Sequence, residues 1–498
     1  MNFIPMQSSM SIPADQRTGL FEAILVVAGA IAVAGFILVP TAGLVVVIGF
    51  VALWFLALLG EAFCGRIDGI LLWWAAVFPL GYYFGSFPRE RSIVTLDRVV
   101  VLVAFMGLFL VKPGMLTAVP RVLRQAGLAT LAFAVVVAVS LRESRNILNG
   151  VQNLLEGFVL PPLLGWCVIA RFDVRRRLPT IHTAVCISSI ICAAVAAAEI
   201  VTGEDLLPNQ GSTTSYAGGG IPRPNGPFAS NETLALIGAV SFFFLLFLRA
   251  ILGPKLSDGR RMLHSIGLAA TLGMALMPMF RSVLLTLLIV LIIDTFWEKR
   301  TTRRAWRVAL ICVSVGLIFI ATLFIPESVV EDRSRAENVY GRVAQFEQTL
   351  RVFLEHPVLG VGFYNFGRVV AGEPRYVASY QGVNSVDSPH NNLTQVLAET
   401  GIVGFLPYMI AHILLLRAMW QLRQLSSLGR LAWKYYVYLW LTYWITGLTE
   451  SSGYSPLNLV YIFATTVFFK YAITDPDLIR SEAVQVPDKI FSEPAHVF

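Results

Sequence analysis

The chain has 498 residues, of which 56% are hydrophobic and only 14% are charged. A soluble domain carries about 45–50% apolar and about 25% charged residues, so this composition excludes a soluble globular protein, a disordered chain and a collagen-like chain. Many apolar runs are about 20 residues long, which is the length at which a helix crosses the hydrocarbon core of a bilayer. The sequence therefore predicts an all-α, polytopic membrane helical bundle.

The five cysteines are scattered along the chain, lie in or beside apolar runs and form no CxxC pair. They are typical of small core residues, so neither a redox site nor a disulfide framework is expected. The chain is polar up to Arg17 and shows no basic region followed by a small-residue cleavage site. We expect no cleaved signal peptide, with the first span serving to insert the chain.

Apolar runs, divided where polar residues, Gly or Pro interrupt them, predict about 14 membrane spans. A count of about 12 is also compatible, because two pairs of closely spaced spans are hard to divide. The predicted spans lie near residues 20–39, 41–60, 68–85, 94–111, 125–141, 150–170, 179–201, 229–250, 262–279, 280–297, 305–325, 393–416, 432–449 and 456–473. They divide the chain into a cytoplasmic tail at 1–19, N-terminal transmembrane helices at 20–201, a second transmembrane domain at 202–474 and a cytoplasmic tail at 475–498.

Lys and Arg clusters indicate the orientation, because cytoplasmic loops of membrane proteins are enriched in both residues. With both ends inside, most of the 38 Lys and Arg residues fall in cytoplasmic segments such as 171–177, 249–261 and 299–307. The formal net charge of +7 is then a topology signal and an attraction to anionic lipids, and no basic stripe on a soluble domain points to nucleic acid.

Two external loops stand out in this topology. Residues 202–228 are rich in Gly, Pro, Ser and Thr, which is typical of a flexible connector. The loop 326–392 is the largest polar segment, and a loop this long without structure of its own is unusual unless it is functional. Within it, residues 341–356 have helical spacing, with an apolar face made by Val343, Phe346, Leu350, Phe353 and Leu354. This pattern predicts an amphipathic helix that lies on the membrane or caps a cavity.

Two arginines lie on the external side, where positive charge is disfavoured beside span ends. Arg281 lies between two apolar runs with almost no loop around it, and Arg223 lies among prolines just before the eighth span. The ordinary interpretation is headgroup anchoring for Arg281 and a solvated loop residue for Arg223. The alternative is that their guanidinium groups, which are planar and permanently charged, bind phosphate oxygens.

His390 is the only histidine at an external junction between a loop and a span, and its local sequence is SPHNNLTQVLAETGIVGF. A lone histidine is most often structural, but a pKa near neutrality also suits this residue to accept a proton from a hydroxyl. Ser388 and the following proline are predicted to open a helix, and Asn391 to cap it or to bind ligand hydroxyls. Glu399 lies nine residues further on and points away from His390 on a straight helix, unless Gly401 permits a break.

Two acidic residues, Glu156 and Asp294, lie inside predicted spans and are functional candidates for that reason. Asp294 is close enough to the cytoplasmic end to pair with Lys299 or Arg300. No HExxH, GxSxG or P-loop motif is present, and no external His-rich or Asp-rich metal site is predicted.

Four motifs in a fixed order, from Arg223 to about Leu416, resemble the O-antigen ligase/O-antigen polymerase family of bacterial inner-membrane proteins. They read IPRPNGPFASNETLAL, PMFRSVLLTLL, GRVAQFEQTLRVFLEHPVLGVGFYNF and HNNLTQVLAETGIVG. One departure is Phe346, where the family often has Trp. The first 200 residues resemble the family only as a run of spans.

The resemblance implies a C-type glycosyltransferase that is metal-independent, needs no cofactor and inverts the anomeric centre. It would transfer a glycan from an undecaprenyl-diphosphate carrier to an acceptor sugar hydroxyl, at the periplasmic face of the bacterial inner membrane. His390 matches the histidine that activates the acceptor, and Arg223 and Arg281 match arginines that hold the diphosphate. Further candidates for substrate binding are Arg342, Asn391 and Glu399.

Several functions remain compatible with these motifs. A polymerase extends a growing glycan and a ligase glycosylates lipid A-core, and both would act beside membrane lipids, a flippase and a chain-length regulator. A protein O-oligosaccharyltransferase would use a protein hydroxyl instead. A non-enzymatic transporter or lipid flippase predicts charged residues along a path through the bilayer, whereas the conspicuous residues here gather on one face.

Overall fold

The computed structural model describes residues 54–84, 94–111, 116, 119–144, 147–207, 215–217, 221–297, 336–386, 388–449 and 457–475. The predicted spans at 20–39 and 305–325 and the first part of the span at 41–60 lie outside these residues. Five described helices are long and apolar enough to cross a membrane, and three shorter ones are also apolar. The chain is therefore an all-α polytopic membrane protein, as its composition predicts.

The described helices follow the predicted spans closely, with α4 to α7 and α12 each within a few residues at their starts. The helices are α1 (Trp54–Phe63), α2 (Asp68–Phe84), α3 (Leu96–Phe109), α4 (Arg121–Ser140), α5 (Ile147–Ala170), α6 (Val174–Thr202), α7 (Asn231–Leu252), α8 (Asp258–Leu276), α9 (Arg281–Trp297), α10 (Ala336–Glu355), α11 (Phe366–Gly372), α12 (Asn392–Leu425), α13 (Ser427–Gly447) and α14 (Leu457–Ile473). Two short hairpins pair β1 (Ser215–Ala217) with β2 (Ile221–Arg223) and β3 (Ser379–Tyr380) with β4 (Val383–Asn384).

Polar side chains fix the starts of α7 and α13. The Ser230 hydroxyl accepts the backbone N–H of Thr233 and begins α7, and the Ser426 hydroxyl accepts that of Gly429 and begins α13. Such caps satisfy backbone donors that have no partner within the helix. The ends of these spans are thus set by side chains that the local sequence supplies.

Helix α7 is the centre of the bundle. Its side chains are apolar on nearly every side and are mostly buried, and it packs against α6, α8, α13 and α14. A helix that is hydrophobic all round is expected to be enclosed by other helices. The hairpin that ends at Arg223 and the helix that begins at Arg281 are both attached to this core.

Helices α4 and α12 pack along each other at the edge of the bundle. Their outward sides are largely apolar, and the exposed residues of α12 include Ile402, Leu406, Ile410 and Ile413. Because lipid tails are as apolar as these side chains, this surface suits contact with the bilayer. We call these four residues the lipid-facing side of α12.

The two intramembrane acids form ion pairs between helices. Glu156 on α5 contacts Arg98 on α3 at 2.6 Å, and Asp294 on α9 contacts Lys434 on α13 at 2.5 Å. Asp294 also accepts a hydrogen bond from the hydroxyl of Tyr438. These two contacts join α9 to α13, and both acids hold neighbouring helices together.

The described part of the loop 326–392 contains α10, α11 and the β3–β4 hairpin. The predicted helix at 341–356 is confirmed as α10, which begins five residues earlier. Its predicted apolar face points outward, because Val343, Phe346, Leu350 and Leu354 are exposed. The buried face instead carries Ala344, Gln345, Gln348, Thr349 and Val352. An apolar stripe at helical spacing thus does not mark the side that packs against the protein.

Candidate functional site

Arg223 is the last residue of β2 and is anchored to the start of the Arg281 helix. Its Nε donates a hydrogen bond to the backbone oxygen of Pro278, with the two atoms 2.9 Å apart. Pro222 and Pro224 on either side stiffen the backbone. The half-buried Arg223 side chain is therefore held against Pro278, which precedes Arg281 by three residues.

Two acidic residues hold the turn that follows Arg223. The buried carboxylate of Glu199, near the end of α6, accepts the backbone N–H of Gly226 at 2.8 Å. The side-chain amide of Asn225 donates to Asp205 at 3.3 Å. Gly226 has φ +58°, a conformation that favours glycine. Sequence reasoning missed this clamp, although an acid at the end of an apolar span was a signal that it needed a partner.

Arg281 is exposed and is the first residue of α9. The helix starts after a tight turn, in which Met279 has φ 53° and donates its N–H to Leu276. The next residue, Ser282, contacts the hydroxyl of Thr449, just beyond the end of α13. The start of α9 is thus linked to Arg223 on β2 through Pro278 and to the end of α13 through Ser282.

His390 occupies a strained position immediately before α12. Its φ of 43° is uncommon for a residue with a side chain. Asn391 caps α12, because its Oδ1 accepts the N–H groups of Leu393 and Thr394. The helix therefore begins at Asn392 rather than at Ser388, and of the two roles weighed for Asn391 the capping role is the one described. Strain of this kind is retained where the surrounding structure holds it, often at functional sites.

The C-terminal end of α13 joins the two halves of the site. Thr449 contacts Ser282, which neighbours Arg281, while Gly447 packs against Asn392, two residues after His390. A Cβ placed on Gly447 would lie only 3.1 Å from Nδ2 of Asn392. The structure thus brings Arg223, Arg281 and His390 around one corner of the bundle, although they are far apart in the sequence.

Glu399 is buried and anchors a neighbouring loop. It accepts the backbone N–H of Phe366 and the side-chain amide of Gln395, both at 3.4 Å. Gly360 passes so close that a Cβ there would lie 2.4 Å from the backbone of Glu399. Gly401 then breaks α12 with φ 59° and ψ −166°, as the sequence permitted. The described contacts of Glu399 therefore hold the Gly360–Phe366 loop against α12.

Arg342 lies on the exposed side of α10. At the other end of α10, the hydroxyl of Tyr376 donates to Glu355 at 2.8 Å. Burial and this hydrogen bond raise the pKa of Tyr376 to about 12. Tyr376 thus stays a neutral donor and fastens the loop to α10. Within the described ranges, no three His, Cys, Asp or Glu side chains are grouped as metal ligands would be.

Part of the chain matches a known protein family. Residues 229–409 match the family model described as O-antigen ligase. This range contains Arg281, Arg342, His390, Asn391 and Glu399, while Arg223 lies six residues before it. No curated protein matches the chain. The resemblance to the O-antigen ligase/polymerase family drawn from the four motifs is thus confirmed over the matched range, residues 229–409.

Proposed function

We propose that this protein transfers a glycan from an undecaprenyl-diphosphate carrier to a sugar hydroxyl, at the periplasmic face of the bacterial inner membrane. The family match supports glycan transfer in O-antigen biosynthesis with a lipid-linked substrate. The observation that carries the finer proposal is the corner at the end of α13, where the elements bearing Arg223, Arg281 and His390 meet. Two guanidinium groups beside a candidate base are the parts that such a transfer needs.

The arginines would bind the leaving group. As the bond from the anomeric carbon to the diphosphate breaks, its electron pair moves to the diphosphate oxygen, where negative charge grows. Guanidinium groups held in advance stabilise that charge more than they stabilise the bound donor, which accelerates the reaction. The N-terminus of α9, which begins at Arg281, adds the positive end of a helix dipole. In this role the arginines do what a divalent cation does in many nucleotide-sugar transferases.

His390 would act on the acceptor. Its imidazole accepts the proton of the sugar hydroxyl as the hydroxyl oxygen attacks the anomeric carbon from the side opposite the diphosphate. Attack from that side inverts the anomeric configuration in a single displacement. A positioned general base of this kind contributes about 10²–10⁴-fold to the rate. Asn391 caps α12 and Glu399 holds the adjacent loop, so in this proposal both act by positioning.

The loop helix α10 would limit access of water. Its buried polar face packs against α12 and the β3–β4 hairpin, beside the segment that starts at His390. Exclusion of water suppresses hydrolysis of the donor, the main competing reaction of a transferase.

The test is a transfer assay with the purified full-length protein and an undecaprenyl-diphosphate oligosaccharide. A glycan, a lipid A-core and a peptide acceptor supplied separately distinguish polymerase, ligase and protein glycosyltransferase. Activity that persists in EDTA and a product of inverted anomeric configuration are expected. Intact protein that forms no glycosidic bond with any acceptor, but moves the donor between leaflets of a vesicle, would support the transporter instead.

A further inference from the structure

We propose that α10 is seated on the lipid bilayer through the apolar stripe Val339, Val343, Phe346, Leu350 and Leu354. All five side chains are between 39% and 65% exposed, although they are large and apolar. Their spacing of four, three, four and four residues places them on one side of the helix. This inference concerns an interaction surface and does not depend on the proposed transfer reaction.

The stripe is opposite the face by which α10 packs on the protein. At 100° per residue, the centre of the stripe lies about 160° from the centre of the buried face around Gln348. Because the two faces are on opposite sides of α10, only one of them can pack against the protein. That face is the one that carries the buried residues Gln345, Gln348 and Thr349. The exposure of the stripe is thus a fixed property of how α10 packs.

The stripe also continues into the surface that faces lipid. Beyond the end of α10, the exposed residues Val358 and Leu359 lead directly to α12. There the N–H of Ile402 donates to Pro357 at 2.9 Å, and that of Val403 donates to Val358 at 3.2 Å. Ile402 is the first residue of the lipid-facing side of α12 defined above. Exposed apolar residues therefore extend from a membrane span, through Val358 and Leu359, to the loop helix.

This continuity identifies the bilayer as the occupant and sets the depth order. The segment 357–359 is hydrogen-bonded to a membrane span, so the C-terminal end of α10 lies deepest and its N-terminal end lies shallowest. The polar flank fits this placement, because Glu347 and Arg351 pair with each other at 2.6 Å beside the stripe. An amphipathic helix in this position inserts its apolar side chains at the boundary of headgroups and acyl chains.

Spin labels on the full-length protein in phospholipid nanodiscs test the proposal. Cys64→Ser and Cys312→Ser remove one exposed thiol and one outside the described residues, while Cys167, Cys186 and Cys192 are buried. Labels are then placed by Phe346→Cys or Leu354→Cys on the stripe, and by Arg351→Cys as the matched control on the polar flank. Collisions with oxygen, which partitions into lipid, are compared with collisions with a water-soluble nickel chelate.

Stripe labels should collide more with oxygen, and the label at 354 should lie deeper than the label at 346, whereas the control should collide more with nickel. If a stripe label is as open to nickel as the control, the proposal is wrong. Protection that appears only after undecaprenyl diphosphate is added would assign the stripe to the carrier's tail. Protection that appears only with two copies per nanodisc would assign it to a second copy, and either result overturns the bilayer assignment. If Phe346→Cys fails to fold, Leu350→Cys tests the same face.

Discussion

Arg223 donates a hydrogen bond from its Nε to the backbone oxygen of Pro278, a residue 55 positions further along the chain. Since α9 begins three residues later at Arg281, this contact joins two segments that the sequence predicts as separate external loops, each carrying one of the arginines. A diphosphate has two phosphoryl groups, and the guanidinium groups of Arg223 and Arg281 provide one for each. Loss of either side chain should therefore affect the same step.

Arg281→Lys should lose most of the transfer activity. A lysine keeps the charge but cannot reproduce the planar fork that binds two phosphate oxygens at once. We expect kcat/KM to fall by about 10²-fold, in the range found when one stabilising donor is removed from an active site. Steady-state transfer kinetics measure the change.

The control for this variant is Arg430→Lys, which alters an exposed arginine near the other end of α13. It should retain wild-type kinetics. Should Arg281→Lys be as active as the wild type, anchoring to lipid headgroups would explain Arg281 better than a diphosphate site.

His390→Asn should strongly reduce the rate of transfer without disturbing the fold. Asparagine tolerates the left-handed backbone that His390 adopts at φ 43°, so the chain path into α12 is preserved while the base is lost. We expect the rate to drop by about 10²–10⁴-fold with little change in donor affinity. Rates and donor binding are measured on the same preparation.

His390→Ala serves as the companion variant, because it removes the base and also strains the turn. Equal loss of rate in both variants assigns the effect to the imidazole. Retention of full activity in His390→Asn would remove His390 from the mechanism and leave it a turn residue.

Glu199 should act on catalysis only through the turn after Arg223. Glu199→Ala leaves the buried N–H of Gly226 without its acceptor, which costs about 1–3 kcal/mol and loosens the backbone that carries Arg223. We expect weaker donor binding and a lower melting temperature. Glu199→Gln keeps an oxygen acceptor for Gly226 and should restore most of both. If the two variants are equally impaired, the negative charge of Glu199 matters rather than its hydrogen bond.

The helices could be predicted from sequence because apolar runs have a length that a bilayer dictates. The orientation of α10 could not, because an apolar stripe in a membrane protein is satisfied by lipid as well as by a protein core. The residues that face inward, Gln345 and Gln348, look like solvent-exposed residues in the sequence. The clamp by Glu199 was equally hidden, since its partner is a backbone N–H and leaves no side-chain pattern.

In the candidate site, too, some features could be predicted from the sequence and others could not. Arg281 and His390 were recognisable because charge is scarce on their side of the spans. Their convergence depends on contacts of Ser282 with Thr449 and of Asn392 with Gly447, and such small residues give no signal on their own. Local sequence allowed two roles for Asn391, and the geometry of α12 shows the capping role.

Gly401→Ala should destabilise the protein because two constraints meet at this residue. Its φ of 59° with ψ −166° is open essentially to glycine alone, and a Cβ would lie 2.3 Å from the backbone oxygen of Val358. We expect a loss of more than about 1 kcal/mol, read as a lower melting temperature in detergent. Gly372→Ala is the matched control, since no atom lies within 4 Å of a Cβ at that position. An unchanged melting temperature for Gly401→Ala would contradict the break in α12.

Cysteines on opposite sides of α12 test the orientation that places the site in the periplasm. Val386→Cys lies in the exposed part of the loop before α12, and Gln424→Cys lies exposed near the other end of the helix. Gln424 is preferred to Ser426 because the hydroxyl of Ser426 caps α13. In intact cells with a permeable outer membrane, a membrane-impermeant maleimide should label the first cysteine and reach the second only after lysis. Labelling in the reverse order would put His390 and both arginines on the cytoplasmic side, where a periplasmic glycan donor could not reach them.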